Sequence, residues 1–160
     1  MREITLICVG KMKEKFLIAA CDEYLKRLGA YTKVEVIEIP EYRLSQNPSA
    51  GDIENALARE AEEIRRRIPK GAMLAAMCIE GKMYDSVEFS RRIFDAGVGG
   101  VSKLCFLIGG SNGLSEELKR QAEFRLSMSP MTFPHHLARV MLLEQIYRAF
   151  QIGTGGSYHK

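Results

Sequence analysis

No segment of this 160-residue chain holds the ~18 to 20 consecutive apolar residues of a membrane helix, and Met1 to Val9 reads as a strand, not a cleavable signal. A cytoplasmic protein with no membrane partner is therefore expected. Its four cysteines contain no C-x-x-C pair: Cys8, Cys78 and Cys105 lie in apolar, strand-like runs and Cys21 in a helix. They read as buried thiols, not as a metal or redox site. An excess of one charge is lacking as well, 23 Lys and Arg against 20 Asp and Glu giving a formal net charge of only +3. Two local clusters, Lys11, Lys13 and Lys15, and Arg65 to Arg67, read either as solvated surface or as nucleic-acid contacts. Charge permits an RNA partner without demanding one.

The familiar phosphate motifs are missing. Gly109-Gly110-x-x-Gly113 lacks the G-x-G-x-x-G spacing of dinucleotide folds, and Gly81-Lys82 is followed by Met83 where a P-loop needs Ser or Thr. Ser115-Glu116-Glu117 puts two carboxylates at a helix N-terminus that would otherwise receive an anion, which disfavours a phosphate ligand further. His135-His136 open a helix pointing in different directions, with no third ligand at metal spacing, so no metal is expected. No nucleophile elbow, catalytic carboxylate pair or Cys/His dyad can be identified.

What is present is a regular alternation. Apolar runs at 4–9, 34–39, 73–79, 104–108 and 124–128 predict strands. Helices are predicted at 15–28, with Phe16, Ala19, Ala20, Tyr24, Leu25 and Leu28 as its apolar face, and at 51–67, 86–96 (capped by Ser86), 115–121 and 134–152. The polar stretch Pro40 to Ala50 is the one long irregular connection in the first half, a kind of segment that is often functional or mobile. The pattern is a single α/β domain over residues 1–160, with a mostly parallel sheet flanked by helices. Ligands in such sheets lie beyond the carboxyl ends of the strands.

Two loops sit at such ends. Ile108-Gly-Gly-Ser-Asn-Gly113 follows the run Leu104 to Leu107, and Met128-Ser-Pro-Met-Thr-Phe133 follows Phe124 to Ser127, so both should open at one sheet edge. Alone, the first reads equally well as a Gly-rich turn before a capped helix. In the second, Pro130 and Pro134 stiffen an apolar wall with free backbone groups, suited to a flat, phosphate-free heterocycle. The last helix is apolar in nearly every direction and must be buried on several sides, either within its own chain or, as expected here, against the second subunit of a homodimer. After it, Gly153-Thr-Gly-Gly156 should leave residues 153–160 flexible, and on spacing alone Tyr158-His159-Lys160 reads as a frayed terminus.

Taken together, Phe106-Leu-Ile-Gly-Gly-Ser-Asn-Gly-Leu114, Leu126-Ser-Met-Ser-Pro-Met-Thr-Phe-Pro-His135, Arg139-Val140, Glu144-Gln-Ile-Tyr-Arg-Ala-Phe150 and Tyr158-His159-Lys160 resemble the bacterial ribosomal RNA large-subunit methyltransferase H family, of the SPOUT class. Val9-Gly-Lys11, Tyr24-Leu-Lys-Arg-Leu28 and Ile79-Glu-Gly-Lys82 extend the resemblance over essentially the whole chain. It implies a SPOUT fold with a C-terminal trefoil knot, a feature that general fold rules would not suggest. It also implies a homodimer that uses S-adenosylmethionine to methylate N3 of a pseudouridine in 23S ribosomal RNA, on the assembled ribosome. By resemblance the cofactor lies among Met77, Gly109, Met128, Ser129, Pro130, Met131, Thr132 and Phe133, where Met77 replaces a more familiar Leu at equal apolar bulk.

The sulfonium supplies an activated methyl group, so the protein must align the acceptor nitrogen, remove its proton and stabilise the charge left on the ring. The resemblance gives the charge to Arg148, whose reading on spacing alone is an ion pair with Glu144 one turn earlier. It makes His159 the candidate base, imidazole being the side chain that exchanges protons near neutral pH, and Tyr158 a stacking or hydrogen-bonding group on a flexible catalytic tail. Two other functions share the fold: a SPOUT enzyme acting on transfer RNA, and a dimeric binding module without catalysis.

Overall fold

Near-continuous apolar runs form strands that are covered on both faces, as parallel sheets require. A computed structural model describes all 160 residues. Its strands are β1 (Glu3–Val9), β2 (Lys33–Ile39), β3 (Met73–Met83), β4 (Lys103–Ile108) and β5 (Phe124–Ser127). They pair in the order β2-β1-β4-β3-β5, and every pairing is parallel. The helices are α1 (Lys15–Leu28), α2 (Ala50–Arg67), α3 (Ser86–Val98), α4 (Glu116–Gln121) and α5 (His135–Gly153). None of them is long and apolar enough to cross a membrane.

Alternation along the strands divides the core into two layers. Ile4, Leu6 and Cys8 of β1 and Leu104 and Phe106 of β4 pack with α1, α3 and α5. Ile7, Val9, Cys105 and Leu107 point the other way, onto Ile64 of α2 and Leu118 of α4. Helix α5 lays one stripe, Leu142, Leu143, Ile146, Ala149 and Phe150, into the first layer, and the buried Ser90 hydroxyl of α3 donates to the Ala149 carbonyl at 2.6 Å. Val140, Met141 and Tyr147 of α5 are only half-buried, and Leu137 is exposed.

The structure corrects several expectations. Phe16 does not join the apolar face of α1 but stands 74% exposed. The helix buries Cys21 and Leu28, with Leu17, Tyr24 and Leu25 packed beside them, and Phe16 lies five residues before Cys21, about 140° around the axis. Ala19 is exposed for the same reason. Helix α3 is capped by Asp85, not by Ser86: the Asp85 carboxylate accepts the Glu88 N–H at 2.7 Å and Glu88 accepts the Asp85 N–H at 3.1 Å. Ser86 donates instead to Gln145 of α5 at 2.8 Å. Burial pushes the Cys8 and Cys105 thiols up to about 12, and Cys21 is buried too. Cys78 is only half-buried, because β3 leaves its regular register after Met77.

That irregularity positions β5. Leu126 pairs with both Met77 and Lys82, so residues 78–81 bulge while β5 runs against the strand on either side of them. A Cβ at Gly81 would stand 2.8 Å from the carbonyl carbon and oxygen of Arg125, closer than atoms can approach. Gly81→Ala must push β3 and β5 apart, and a loss of roughly 1–3 kcal/mol is expected, read as a thermal midpoint several degrees lower. An unchanged midpoint would show that the two strands do not meet there.

Candidate functional site

The loops after β4 and β5 face each other across a cleft of about 770 Å³ at the carboxyl end of the sheet. That size suits a small organic ligand. Met77, Gly109, Met128, Ser129, Met131, Thr132 and Phe133 line it, and so do Glu80, Lys119, His135 and Ala138. Of the residues expected there only Pro130 is not in the wall.

Each loop is held in shape by its own sequence. At Gly109 a Cβ would fall 2.3 Å from the carbonyl carbon of Gly113, because the loop doubles back and the Gly113 N–H donates to the Gly110 carbonyl at 3.0 Å. The Glu41 carboxylate, from the irregular segment after β2, accepts the Ser111 N–H at 2.9 Å and fixes this loop from outside. In the second loop, the Ser127 hydroxyl donates to the Ser129 carbonyl at 3.2 Å and the Met131 N–H donates to the Ser129 hydroxyl at 3.0 Å. The N–H groups of Met128, Ser129, Thr132 and Phe133 donate to nothing within the chain. An apolar slot edged by free main-chain donors suits a flat heterocycle.

Charges around the cleft are paired. The nearly buried Lys119 ammonium contacts Glu80 and, at 3.1 Å, Glu116. Burial opposes its charge, but the two carboxylates outweigh that and raise its pKa. Ser115 caps α4 by accepting the Leu118 N–H at 3.2 Å. Burial and the neighbouring His136 hold His135 below the usual imidazole range.

The start of α5 is anchored by Arg139, which is 4% exposed. Its guanidinium donates to Glu38 at 2.8 Å and to the Gly10 carbonyl at 3.2 Å, and Glu38 also accepts the Met12 N–H at 2.8 Å. One side chain thereby joins α5 to the carboxyl ends of β1 and β2.

Arg148, Tyr158 and His159 also come together, but away from the cleft. Arg148 donates to Glu144 at 2.9 and 2.6 Å, so the ion pair read from spacing is present. The Tyr158 hydroxyl donates to the same carboxylate oxygen at 3.2 Å, and the guanidinium lies 4.7 Å from the Tyr158 ring centroid. His159 Nδ1 is 3.3 Å from Arg148. Burial, Tyr24 and Glu144 push the Tyr158 phenol up to about 12. From Ala138 at the cleft to Arg148 is ten residues of α5, about 15 Å of helix. Sequence reading missed Glu144 as the shared acceptor of the tail, and it missed Glu38 and Glu41 altogether; a long-range carboxylate partner leaves no local signal.

Comparison with known proteins agrees with this geometry. Residues 2–159 match the family described as "Predicted SPOUT methyltransferase". A Ribosomal RNA large subunit methyltransferase H from Alkaliphilus oremlandii is 45% identical over 98% of this chain and 99% of its own length. Proteins of the same name from Streptococcus suis and Moorella thermoacetica are 44% and 42% identical, each over at least 99% of both chains. A solved structure, a probable methylase family protein from Haemophilus influenzae Rd KW20, superposes with a TM-score of 0.54 at 13% identity, over 99% of this chain and 70% of that one, a likeness of fold. The chain belongs to the SPOUT methyltransferase family. The expected family and α/β architecture are borne out.

The Arg139 anchor has a pH signature. Burial opposes ionisation of Glu38, yet the Met12 N–H and the Arg139 guanidinium hold its carboxyl below the usual range. A lowered folded-state value gives stability that is present above the ordinary carboxylate range and is lost as pH falls through the lowered value. Glu38→Gln is expected to cost roughly 1–3 kcal/mol at neutral pH, less than a fully buried pair because Glu38 is 35% exposed. It should also flatten the loss of stability on acidification, followed by thermal unfolding from about pH 6 to about pH 3. An equally steep acid profile in the variant would assign that loss to other carboxylates.

Proposed function

We propose that this chain is a cytoplasmic, homodimeric methyltransferase that uses S-adenosylmethionine to methylate N3 of a pseudouridine in 23S ribosomal RNA on the assembled ribosome. The observation that carries the reading is identity of 42–45% over nearly the full chain to relatives named for large-subunit ribosomal RNA methylation.

The cleft fits the cofactor: its size is right, its wall carries Met77, Met128, Met131 and Phe133, and its free N–H groups can meet the edge of an adenine. When bound, S-adenosylmethionine supplies a methyl group already activated on sulfur. The chain's own residues do the rest. The Met128–Phe133 loop and Gly109 hold the donor, and the loops exclude water around it. Arg148 donates to a carbonyl oxygen of the acceptor ring and stabilises the charge left when N3 loses its proton. His159 takes that proton. Tyr158 serves as a donor or stacking surface, not as a base, since a phenol keeps its proton at neutral pH.

Ala138 on the cleft wall and Arg148 stand about 15 Å apart along α5, and in this reading a second subunit supplies the Arg148 and tail that complete the site. The half-buried Val140 and Met141, which border an apolar hollow of about 630 Å³ beside α5, give that subunit a surface to cover. The tail leaves Glu144 and turns on Gly153, Gly155 and Gly156 when the acceptor base arrives.

The test uses ribosomes from a strain lacking the protein, methyl-labelled cofactor and reverse transcription. A methyl at N3 blocks the pairing edge and stops the polymerase, whereas ribose methylation blocks no pairing edge. Label confined to transfer RNA, or no transfer at all, would overturn the reading. Removing Tyr158 to Lys160 is expected to abolish transfer while calorimetric affinity for the cofactor stays within about twofold. Arg148→Ala should lower kcat by about 10²-fold or more at similar cofactor affinity, as for loss of one charge-stabilising donor.

A further inference from the structure

We infer that Lys11, Lys13, Lys15 and Phe16 form a second RNA contact beside the cleft, the lysines on backbone phosphates and the Phe16 ring stacked on an unpaired base. The inference rests on the ribosomal RNA reading and adds to it a surface outside the cofactor cleft and the tail.

Four observations converge on this segment. Phe16 is 74% exposed on a helix that had other positions for its apolar face, so packing does not explain a phenyl ring there. Lys11, Lys13 and Lys15 are exposed, and none forms an ion pair. The single carboxylate among them, Glu14, is turned onto the Lys13 N–H and His136, each at 3.2 Å. Glu14 is the N-cap of α1 and the first turn beyond it holds no further acidic residue, so the only negative charge at this helix end is the one already engaged by His136.

Position matters as much as composition. The segment follows Gly10 at the carboxyl end of β1, and β1 is the neighbour of β4, whose loop forms one wall of the cleft. A Cβ on Gly10 would stand 3.3 Å from His135 Nε2, and His135 lines the cleft. Through the Glu14–His136 contact and the Met12 N–H on Glu38, the basic loop is tied to the start of α5. An acceptor base brought to the cleft therefore carries its flanking nucleotides past these residues. Free cations interleaved with an exposed aromatic ring match single-stranded RNA, whose phosphates and unstacked bases need both.

The test compares the full-length protein with Lys13→Ala/Lys15→Ala, Phe16→Ala and Phe16→Tyr, using unmethylated ribosomes as substrate. The lysine pair should raise the KM for ribosomes about tenfold or more and reduce the slope of log affinity against log salt by about 1.4, as for two lost phosphate contacts on a single strand. Phe16→Ala should raise the KM roughly tenfold with the slope unchanged, and Phe16→Tyr should restore it, since stacking needs only the ring. Cofactor affinity by calorimetry should be unaltered in all three, which reports on folding. Wild-type KM and salt slope in the variants would overturn the inference while leaving the function standing. A wild-type enzyme that transfers no methyl to ribosomal RNA would instead remove the function on which it rests. A change of oligomeric state in Phe16→Ala, measured by sedimentation, would assign the ring to a second subunit and overturn the stacking role.

Discussion

The Arg139 guanidinium cannot be withdrawn from the carboxyl end of the sheet without leaving Glu38, the Gly10 carbonyl and the first turns of α5 unsupported. Hydrogen bonds to a buried charge are strong when made and costly when one partner is lost. Here they fix the entry of α5 at the cleft wall, with His135 and Ala138 on the cavity, and the same helix then runs along the core to carry Arg148. The position of the second chemical group is thus set by the anchoring of the first. Glu41 does comparable work for the glycine-rich loop, holding Ser111 from a strand connection that has no other regular structure.

Much of the fold was legible because the physics behind it is local. Apolar runs too continuous for a half-exposed sheet gave parallel strands, and period-four apolar spacing gave helices. The loops were found because Gly109 and Pro130 sit directly after strands, and they do meet across one cleft. What the chain concealed was side-chain direction and distance. Phe16 has the apolar identity of a core residue and only the docking angle of α1 exposes it. Asp85 and Ser86 are equally good caps on paper, and the choice between them is made by Gln145, which takes the Ser86 hydroxyl from 59 positions away. Glu38, Glu41 and Glu144 act over separations that no periodicity records.

The distance between cleft and tail follows from the helix that bears them both. Residues on one straight α-helix cannot approach one another, so ten positions of α5 separate Ala138 and Arg148 permanently within a subunit. Only two routes bring the tail to the donor: the last residues turn back along α5, or a second copy supplies them. Tyr158 and His159 already turn back, but they stop at Glu144 and Arg148. Arg148 itself belongs to the helix and has no such freedom. Because the proposed chemistry brings the guanidinium as well as the tail to the acceptor ring, it is the second copy that the proposed reading uses.

Cations in this chain sort by whether they are paired, and that sorting separates the two ligands. Around the cleft Lys119 is shared by two carboxylates, Arg139 is taken by Glu38, and His135 is held below its ordinary range, so no free positive charge competes for a phosphate there. In the proposed reading a sulfonium cofactor gains from this, since an unpaired lysine beside it would repel it. On the rim Lys11 and Lys13, before α1, and Lys15, at its start, have no carboxylate partner and face solvent. Arg148 stands apart from both, ten residues of α5 beyond Ala138, and its pKa is raised by its hydrogen bond to Glu144. Cations at the cleft are thus neutralised by carboxylates, while those on its rim are left to solvent and, in the proposed reading, to the phosphates of the polymer.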